Sequence, residues 1–331
     1  MPSYVLGLLY PEKKTTESTM MARLAHPRLT LTPDLHPGYR LRRLRGIGGF
    51  GEVWEAEKDS GGAVALKFLP KAGVGGAVAL KFLPKAGVGG AKQELRSLQV
   101  VQEACHPHLI RIDSVWCAGG FLVVAMELAD GSLADLLDVY LTEFGAPLPA
   151  GHLLPLLTQA ANGLDFLNTR RHLIHGEWVT IQHCDVTVRN LLVLGKTLKL
   201  SDFGLTTALI GRQKVHNRAG TPAYAAPEVF QGRLTDRTDQ YALAVCYCLL
   251  RTGKFPFADT PADFQAHYTR SAPDLGMLAP GEQMAIARAL AAAPQDRWPS
   301  CGELVMELQK VTSPPSSDRP PGRSKRHSEP R

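Results

Sequence analysis

The hydrophobic period changes once along this chain, and that change constrains the fold more than any single motif. From Tyr39 to Glu127, short apolar runs alternate with Gly-rich turns: YRLRRLRG, GEVWEAEKDSGG, AVALKFLP, IRIDSVWC and GFLVVAMEL. Such runs predict antiparallel strands, interrupted by one helical stretch around KQELRSLQVVQEA. Beyond Gly131 the period turns helical. Leu153, Leu157, Ala160, Leu164 and Leu167 fall on one helix face, and DQYALAVCYCLLRTG and GEQMAIARALAAA follow. The expected fold is α+β and two-lobed, with a small β-rich lobe (39–127) carrying one helix and a larger helical lobe (131–311). The seam at 127–131 is where a ligand is expected. Residues 1–38 show no period and read as a poorly structured leader.

The net charge of +6 suggests nucleic acid until it is located. From Thr312 onward five Lys/Arg face two acids in a Pro- and Ser-rich stretch, so residues 312–331 read as a disordered basic tail holding half the excess. The remainder is nearly balanced, which speaks against a specific nucleic-acid partner. The longest uncharged apolar run, Tyr241 to Leu250, has ten residues, against ~18 needed to span a bilayer. The N-terminal stretch lacks a basic start and a small-residue cleavage site. A cytoplasmic chain with no membrane partner is expected. Six scattered cysteines make no disulfide framework, and Cys246 and Cys248, inside an apolar helical run, read as buried thiols.

One segment is written twice. GGAVALKFLPKAGV occupies 61–74 and again, letter for letter, 75–88. Two such copies are too few and too short for a solenoid, so one copy is expected in the fold. Each carries a lysine. Lys67 lies 16 residues after Gly51, whereas Lys81 lies 13 residues before Glu94, so each fits one flank. Seating the second copy lengthens a tight hairpin loop at ~1.3 kcal/mol of closure entropy; seating the first lengthens a strand-to-helix loop at ~0.9 kcal/mol. Lys67 is therefore favoured, with Lys81 as the alternative. The unseated copy leaves AVALKFL as an aggregation liability.

Three constellations carry chemistry. Gly46-Ile47-Gly48-Gly49-Phe50-Gly51-Glu52-Val53 fits G-x-G-x-x-G-x-V, in which glycines let backbone N–H groups approach phosphates. It joins two strand-like runs, which argues against a dinucleotide fingerprint. A lysine inside the apolar strand that follows needs an anionic partner, and Glu94 is a candidate. Next, His183-Cys184-Asp185 precedes Asn190 by five residues after the Asp, and Ser201-Asp202-Phe203-Gly204 follows. These oxygen ligands suit Mg²⁺ and a base that accepts a hydroxyl proton. Finally, Gly220-Thr221-Pro222-Ala223-Tyr224-Ala225-Ala226-Pro227-Glu228 closes the segment opened by Asp202.

Together these residues resemble the protein kinase family, in particular the eukaryotic-like serine/threonine kinases of bacteria, over roughly residues 39–311. The resemblance implies ATP and Mg²⁺ as cofactors and protein substrates with a Ser or Thr acceptor. It implies that Gly46, Gly48 and Gly51 cover the ATP phosphates, with Val53, Ala65 and Leu192 around the adenine. Met126 would stand at the back of the pocket, with Glu127, Leu128 and Ala129 as the hinge. Lys67 or Lys81 would pair with Glu94 and reach the phosphates. Asp185 would accept the substrate proton while Asn190 and Asp202 hold Mg²⁺. Thr221 would lie in the substrate loop, Asp239 would brace the catalytic loop, and Glu228 would pair with Arg297.

Three departures stand out. Cys184 replaces an arginine common in the family, and no Ser, Thr or Tyr lies between Ala208 and Gly220, so activation without loop phosphorylation is expected. Thr187 stands where the family usually has the lysine that neutralises the γ-phosphate. Arg189 could supply that charge instead, as in kinases with Arg four residues after the catalytic Asp; the alternative is a solvent-facing arginine in a pseudokinase that binds nucleotide and regulates or scaffolds. The stretch NTRRHLIHGEWVTIQ before His183 reads as a surface loop, since His172, His175 and His183 are not at helical metal spacing.

Overall fold

The computed structural model describes residues 36–48, 51–70, 105–118, 121–169, 171–174, 176–209, 220–259, 261–265 and 268–313. Lys81, Glu94 and the helical stretch around 92–104 lie outside these residues.

Five strands form one antiparallel sheet in the order β1-β2-β3-β5-β4: β1 (Tyr39–Gly48), β2 (Gly51–Lys58), β3 (Ala63–Pro70), β4 (Ile112–Ala118) and β5 (Phe121–Glu127). The first copy of the duplicated segment supplies β3; the second copy lies outside the described residues. Period-two alternation sorts β3 into two faces. Val64, Leu66 and Phe68 join Ala56, Val123 and Ala125 in one cluster. Ala65, Lys67 and Leu69 point the other way, where Leu69 packs with Leu122 and Val124. Lys67 therefore leaves the sheet on the face turned toward the second lobe. Gly51 is demanded by this sheet: at φ +138°, a Cβ there would lie 1.9 Å from the Phe68 carbonyl oxygen.

After β5 the chain crosses at Glu127–Asp130 into β6 (Gly131–Ser132) and α1 (Leu133–Glu143). Ser132 caps α1 reciprocally with Asp135, which fixes where the helix begins at ~1 kcal/mol. Helix α2 (Ala150–Asn168) buries the apolar face read from sequence. Its Gly163 lets the strand ending at Leu200 approach, since a Cβ would meet Leu200 Cδ1 at 2.9 Å and the His108 carbonyl at 3.1 Å. β9 (Leu191–Leu194) and β10 (Thr197–Leu200) form a hairpin that pairs with β6. The lobe continues through β11 (Thr207–Leu209), α3 (Pro227–Phe230), α4 (Thr238–Thr252), α5 (Pro280–Ala289) and α6 (Cys301–Thr312). Helix α4 is buried almost all round and is the centre of the large core, which fits its unbroken apolar run. Cys246 and Cys248 sit there as free buried thiols.

The stretch before His183 is not a loop. His172–Ile174 (β7) and Glu177–Gln182 (β8) form a hairpin around Gly176, and β8 also pairs with β11 just beyond Asp202. Val179 and Ile181 alternate inward, which is what converts the segment from surface chain to sheet. Among the described residues, no helix is long and apolar enough to cross a membrane.

Candidate active site

The site forms where β3, the β8–β9 connection, the β10–β11 connection and the segment 220–226 meet. Register positions the small-lobe contribution: Lys67 lies opposite Val53 on β2 and Val124 on β5. Its Nζ reaches across the cleft to Asp202 Oδ1 at 2.6 Å. The expected partner Glu94 lies outside the described residues; among those described, Asp202 is the anion that meets Lys67. Burial pushes the Asp202 carboxyl upward, yet the Lys67 charge and hydrogen bond outweigh it and hold that carboxyl below its ordinary value.

Asp185 sits on the opposite wall. Thr221 Oγ1 donates to its Oδ1 at 2.8 Å, and Asn190 Nδ2 donates to its Oδ2 at 3.0 Å and its backbone carbonyl at 2.8 Å. Burial raises the Asp185 carboxyl above its usual range; the Thr221 hydrogen bond opposes this and the Asp202 charge adds to it. A carboxylate with a raised pKa, held by two donors and facing a cleft, is suited to accept a proton. Asn190 spends its amide nitrogen on Asp185, which leaves its Oδ1 as an oxygen donor alongside the carboxylate oxygens that Asp202 offers. Mg²⁺ takes few protein oxygens and keeps waters and phosphate oxygens, so this donor pair fits that ion.

The catalytic loop is braced from beneath. Asp239, at the start of α4 and 1% exposed, accepts from the backbone N–H of His183 at 2.8 Å and of Cys184 at 3.0 Å. His183 also contacts the Ser201 carbonyl at 3.0 Å, tying the loop to the residue before Asp202. Among the described residues, Cys184 and Asp202 are the two non-glycine residues with positive φ, +67° and +65°. Strained backbone at both ends of the site is the pattern expected where geometry is held for function. Burial pushes the Cys184 thiol up, with the Asp239 charge adding to it, so it is not a reactive thiolate.

The remaining expected residues distribute as follows. Gly46 pairs with Val53, and a Cβ there would meet nothing within 4 Å, leaving open space beside β1. Gly48 pairs with Gly51 at the hairpin end. Ala65 lies opposite Met126, and Leu192 opposite Ser132 and Lys199, so each stands beside the crossing segment in its own lobe. Thr187 is buried, whereas Arg189 is exposed and makes no ion pair among the described residues. Glu228 and Arg297 form a buried pair at 2.7 Å.

A protein kinase domain model matches residues 39–273. The chain belongs to the protein kinase family. The chain is 31% identical over 291 residues to the serine/threonine-protein kinase PknH of Mycobacterium tuberculosis, covering 85% of this chain and 43% of that protein. It is 32% identical over 229 residues to CBL-interacting protein kinase 4 of Oryza sativa subsp. japonica, covering 67% and 46%. The chain thus spans under half the length of these curated relatives. Among solved structures, the M. tuberculosis PknI kinase domain superposes with a TM-score of 0.63 at 27% identity, covering 85% of this chain and 98% of that one. The two-lobed kinase fold expected from the motifs is the fold of this chain.

Two features of this kinase escaped the motif reading. Glu127 is a mechanical joint, accepting from Lys199 Nζ at 2.6 Å and from the Arg111 N–H at 2.7 Å, so the crossing segment is tied to the strand that leads to Asp202. Arg45, beside Gly46, donates to the carbonyls of Ala129 at 2.9 Å and Asp130 at 3.0 Å, which couples β1 to the same segment. An unmatched lysine three residues before Asp202, and an arginine next to the first glycine, were the available signals.

Proposed function

We propose that this kinase transfers the γ-phosphate of Mg-ATP to Ser or Thr hydroxyls of protein substrates. The observation that carries this reading is the Asp185 carboxylate, raised in pKa, hydrogen-bonded by Thr221 and Asn190, and set across from the Lys67–Asp202 pair. Asp185 orients the acceptor hydroxyl and takes its proton as the oxygen attacks the γ-phosphorus. The bond from that phosphorus to the bridging oxygen breaks, and ADP leaves with the electron pair. Asn190 and Asp202 would hold Mg²⁺, which neutralises charge on the phosphates. Lys67 brings one positive charge from the small lobe, and exposed Arg189 supplies the second, which buried Thr187 cannot. The short hydroxyl of Thr221 at the base, and the small residues after it, suit a Ser or Thr acceptor. The proposed setting is cytoplasmic, where ATP is available.

Transfer of labelled phosphate from ATP to a generic protein and to the kinase itself tests the reading, with Asp185→Asn as the control. Phosphoserine or phosphothreonine in the wild type and none in the variant is the expected result. One observation favours a second reading: the neutral, buried Thr187 leaves the catalytic loop short of a cation. If Mg-ATP shifts the wild-type melting temperature but no ADP is released, the chain is a nucleotide-binding pseudokinase.

A further inference from the structure

The substrate-side segment after Thr221 is held by a residue no motif pointed to. Arg270 donates from Nη2 to the carbonyls of Pro222 at 2.5 Å, Ala223 at 3.1 Å and Ala225 at 2.8 Å, and from Nε to Ala225 at 3.1 Å. Its guanidinium lies 4.6 Å from the ring centre of Phe257, 5.6 Å from that of Phe230 and 5.8 Å from that of Tyr268. It forms no ion pair with a described carboxylate, and its Nη1 is buried without a hydrogen-bond partner. A charged group placed this way is costly unless its remaining hydrogen bonds are strong. Here all of them go to three carbonyls of one loop.

That loop is also held at one side chain: Tyr224 is buried in the large core, edge-on to Phe255 with ring centres 5.2 Å apart. Turn hydrogen bonds run from Tyr224 N–H to Thr221 and from Ala225 N–H to Pro222. Its leading end is fixed at the catalytic loop, where Thr221 bonds Asp185 and where Gly220, at φ +116°, passes so close that a Cβ would lie 2.6 Å from the Cys184 carbonyl. Its trailing end is fixed by Glu228 and Arg297. Between these anchors the Tyr224 ring fixes one point, and the carbonyls on either side of it, of Pro222, Ala223 and Ala225, are gathered by the Arg270 fork. The segment that presents Arg270 is itself tethered: Tyr268 Oη and Ser271 Oγ both donate to Asp259, each at 2.7 Å.

We propose that Arg270 is a positioning residue for the protein substrate, acting through the 222–225 loop and through Thr221 on Asp185. This rests on the kinase reading above, but its structural half does not require phosphate transfer. Removing the fork frees three carbonyls, the loop samples other shapes, and substrate is presented less well to Asp185 while the nucleotide side is untouched.

Arg270→Met keeps the apolar stem against the rings and removes every donor. The full chain is compared in two measurements. In steady-state kinetics, KM for protein substrate rises roughly tenfold while KM for ATP is unchanged. In hydrogen exchange without substrate, the amides of 221–226 exchange faster and those of α4 do not. Arg270→Lys, which keeps a charge but not the fork, falls between, and serves alone if the Met variant fails to fold. Wild-type substrate KM together with unchanged exchange overturns the proposal. So does an equal rise in both KM values accompanied by faster exchange throughout α4, since that is general destabilisation. Faster loop exchange in a chain whose wild type transfers no phosphate keeps Arg270 as the loop's anchor and sinks the kinase-activity reading instead.

Discussion

Two ion pairs of nearly equal length hold this kinase-family chain in opposite ways. Lys67–Asp202, at 2.6 Å, spans the cleft between the lobes; Arg297–Glu228, at 2.7 Å, lies inside the large one. The side chains of the first are 11% and 25% exposed, those of the second 0% and 4%. Arg297 makes a two-pronged bond with Glu228 and satisfies its other N–H groups on the carbonyls of Arg237, Ala291 and Ala292, while Thr238 Oγ1 donates to Glu228 Oε1. Every guanidinium proton there has a fixed destination, so the pair serves to hold the large lobe together. Lys67 meets Asp202 through one oxygen, on strained backbone at the edge of water. That pair can be traded for phosphate and metal contacts, so charge proximity alone does not mark a functional site; incomplete burial and a partner in the other lobe do.

Asp202→Asn and Asp185→Asn are the harshest tests of the exchangeable side. Each is expected to abolish transfer, with loss of the base alone costing ~10²–10⁴ in rate. The first should also weaken metal-dependent nucleotide binding, read by thermal shift with Mg-ATP. Wild-type turnover in Asp202→Asn would mean the cleft pair is merely structural, and in Asp185→Asn that the base lies elsewhere.

Arg297→Ala probes the other side. It strands a buried carboxylate and should cost ~3–5 kcal/mol in urea unfolding, whereas Lys67→Met should stop transfer while costing far less stability. Equal destabilisation by the two would erase the distinction.

Arg189→Ala is next. Loss of one charge-stabilising group should lower kcat by ~10²–10³ with little change in ATP affinity, and a lysine introduced by Thr187→Lys should partly restore it. Unchanged turnover would locate the missing charge elsewhere.

The smallest effect is a shift in pH dependence. In the proposed transfer Asp185 acts deprotonated, so the rate is expected to fall as pH drops through its raised pKa. Thr221 holds that pKa down, so Thr221→Val should move the acid limb of the pH–rate profile to higher pH. A limb that stays in place or moves lower would show that Thr221 does not bond Asp185 during turnover.

The lobes, the face buried by α2 and the grouping of Asp185, Asn190 and Asp202 were legible because each is written locally. Side-chain period reports burial, and five- and twelve-residue spacings survive in any chain that keeps its hairpins. The β7–β8 hairpin was legible in part: Val179 and Ile181 alternate after Gly176, but the flanking histidines drew the reading toward a loop. Arg270, Arg45 and Lys199 were not legible, because an arginine or lysine acquires meaning only from carbonyls and carboxylates tens of residues away.

The duplicated segment separates what each level decides. Its two copies are identical, so period, propensity and packing preference are the same for both, and loop closure separates them by only ~0.4 kcal/mol. Sequence alone determined that a lysine on an apolar strand must meet an anion. Only the tertiary structure decided that it is Lys67 and that the described anion is Asp202, because pairing β3 between β2 and β5 sets which lysine lies across from the strained turn after β10.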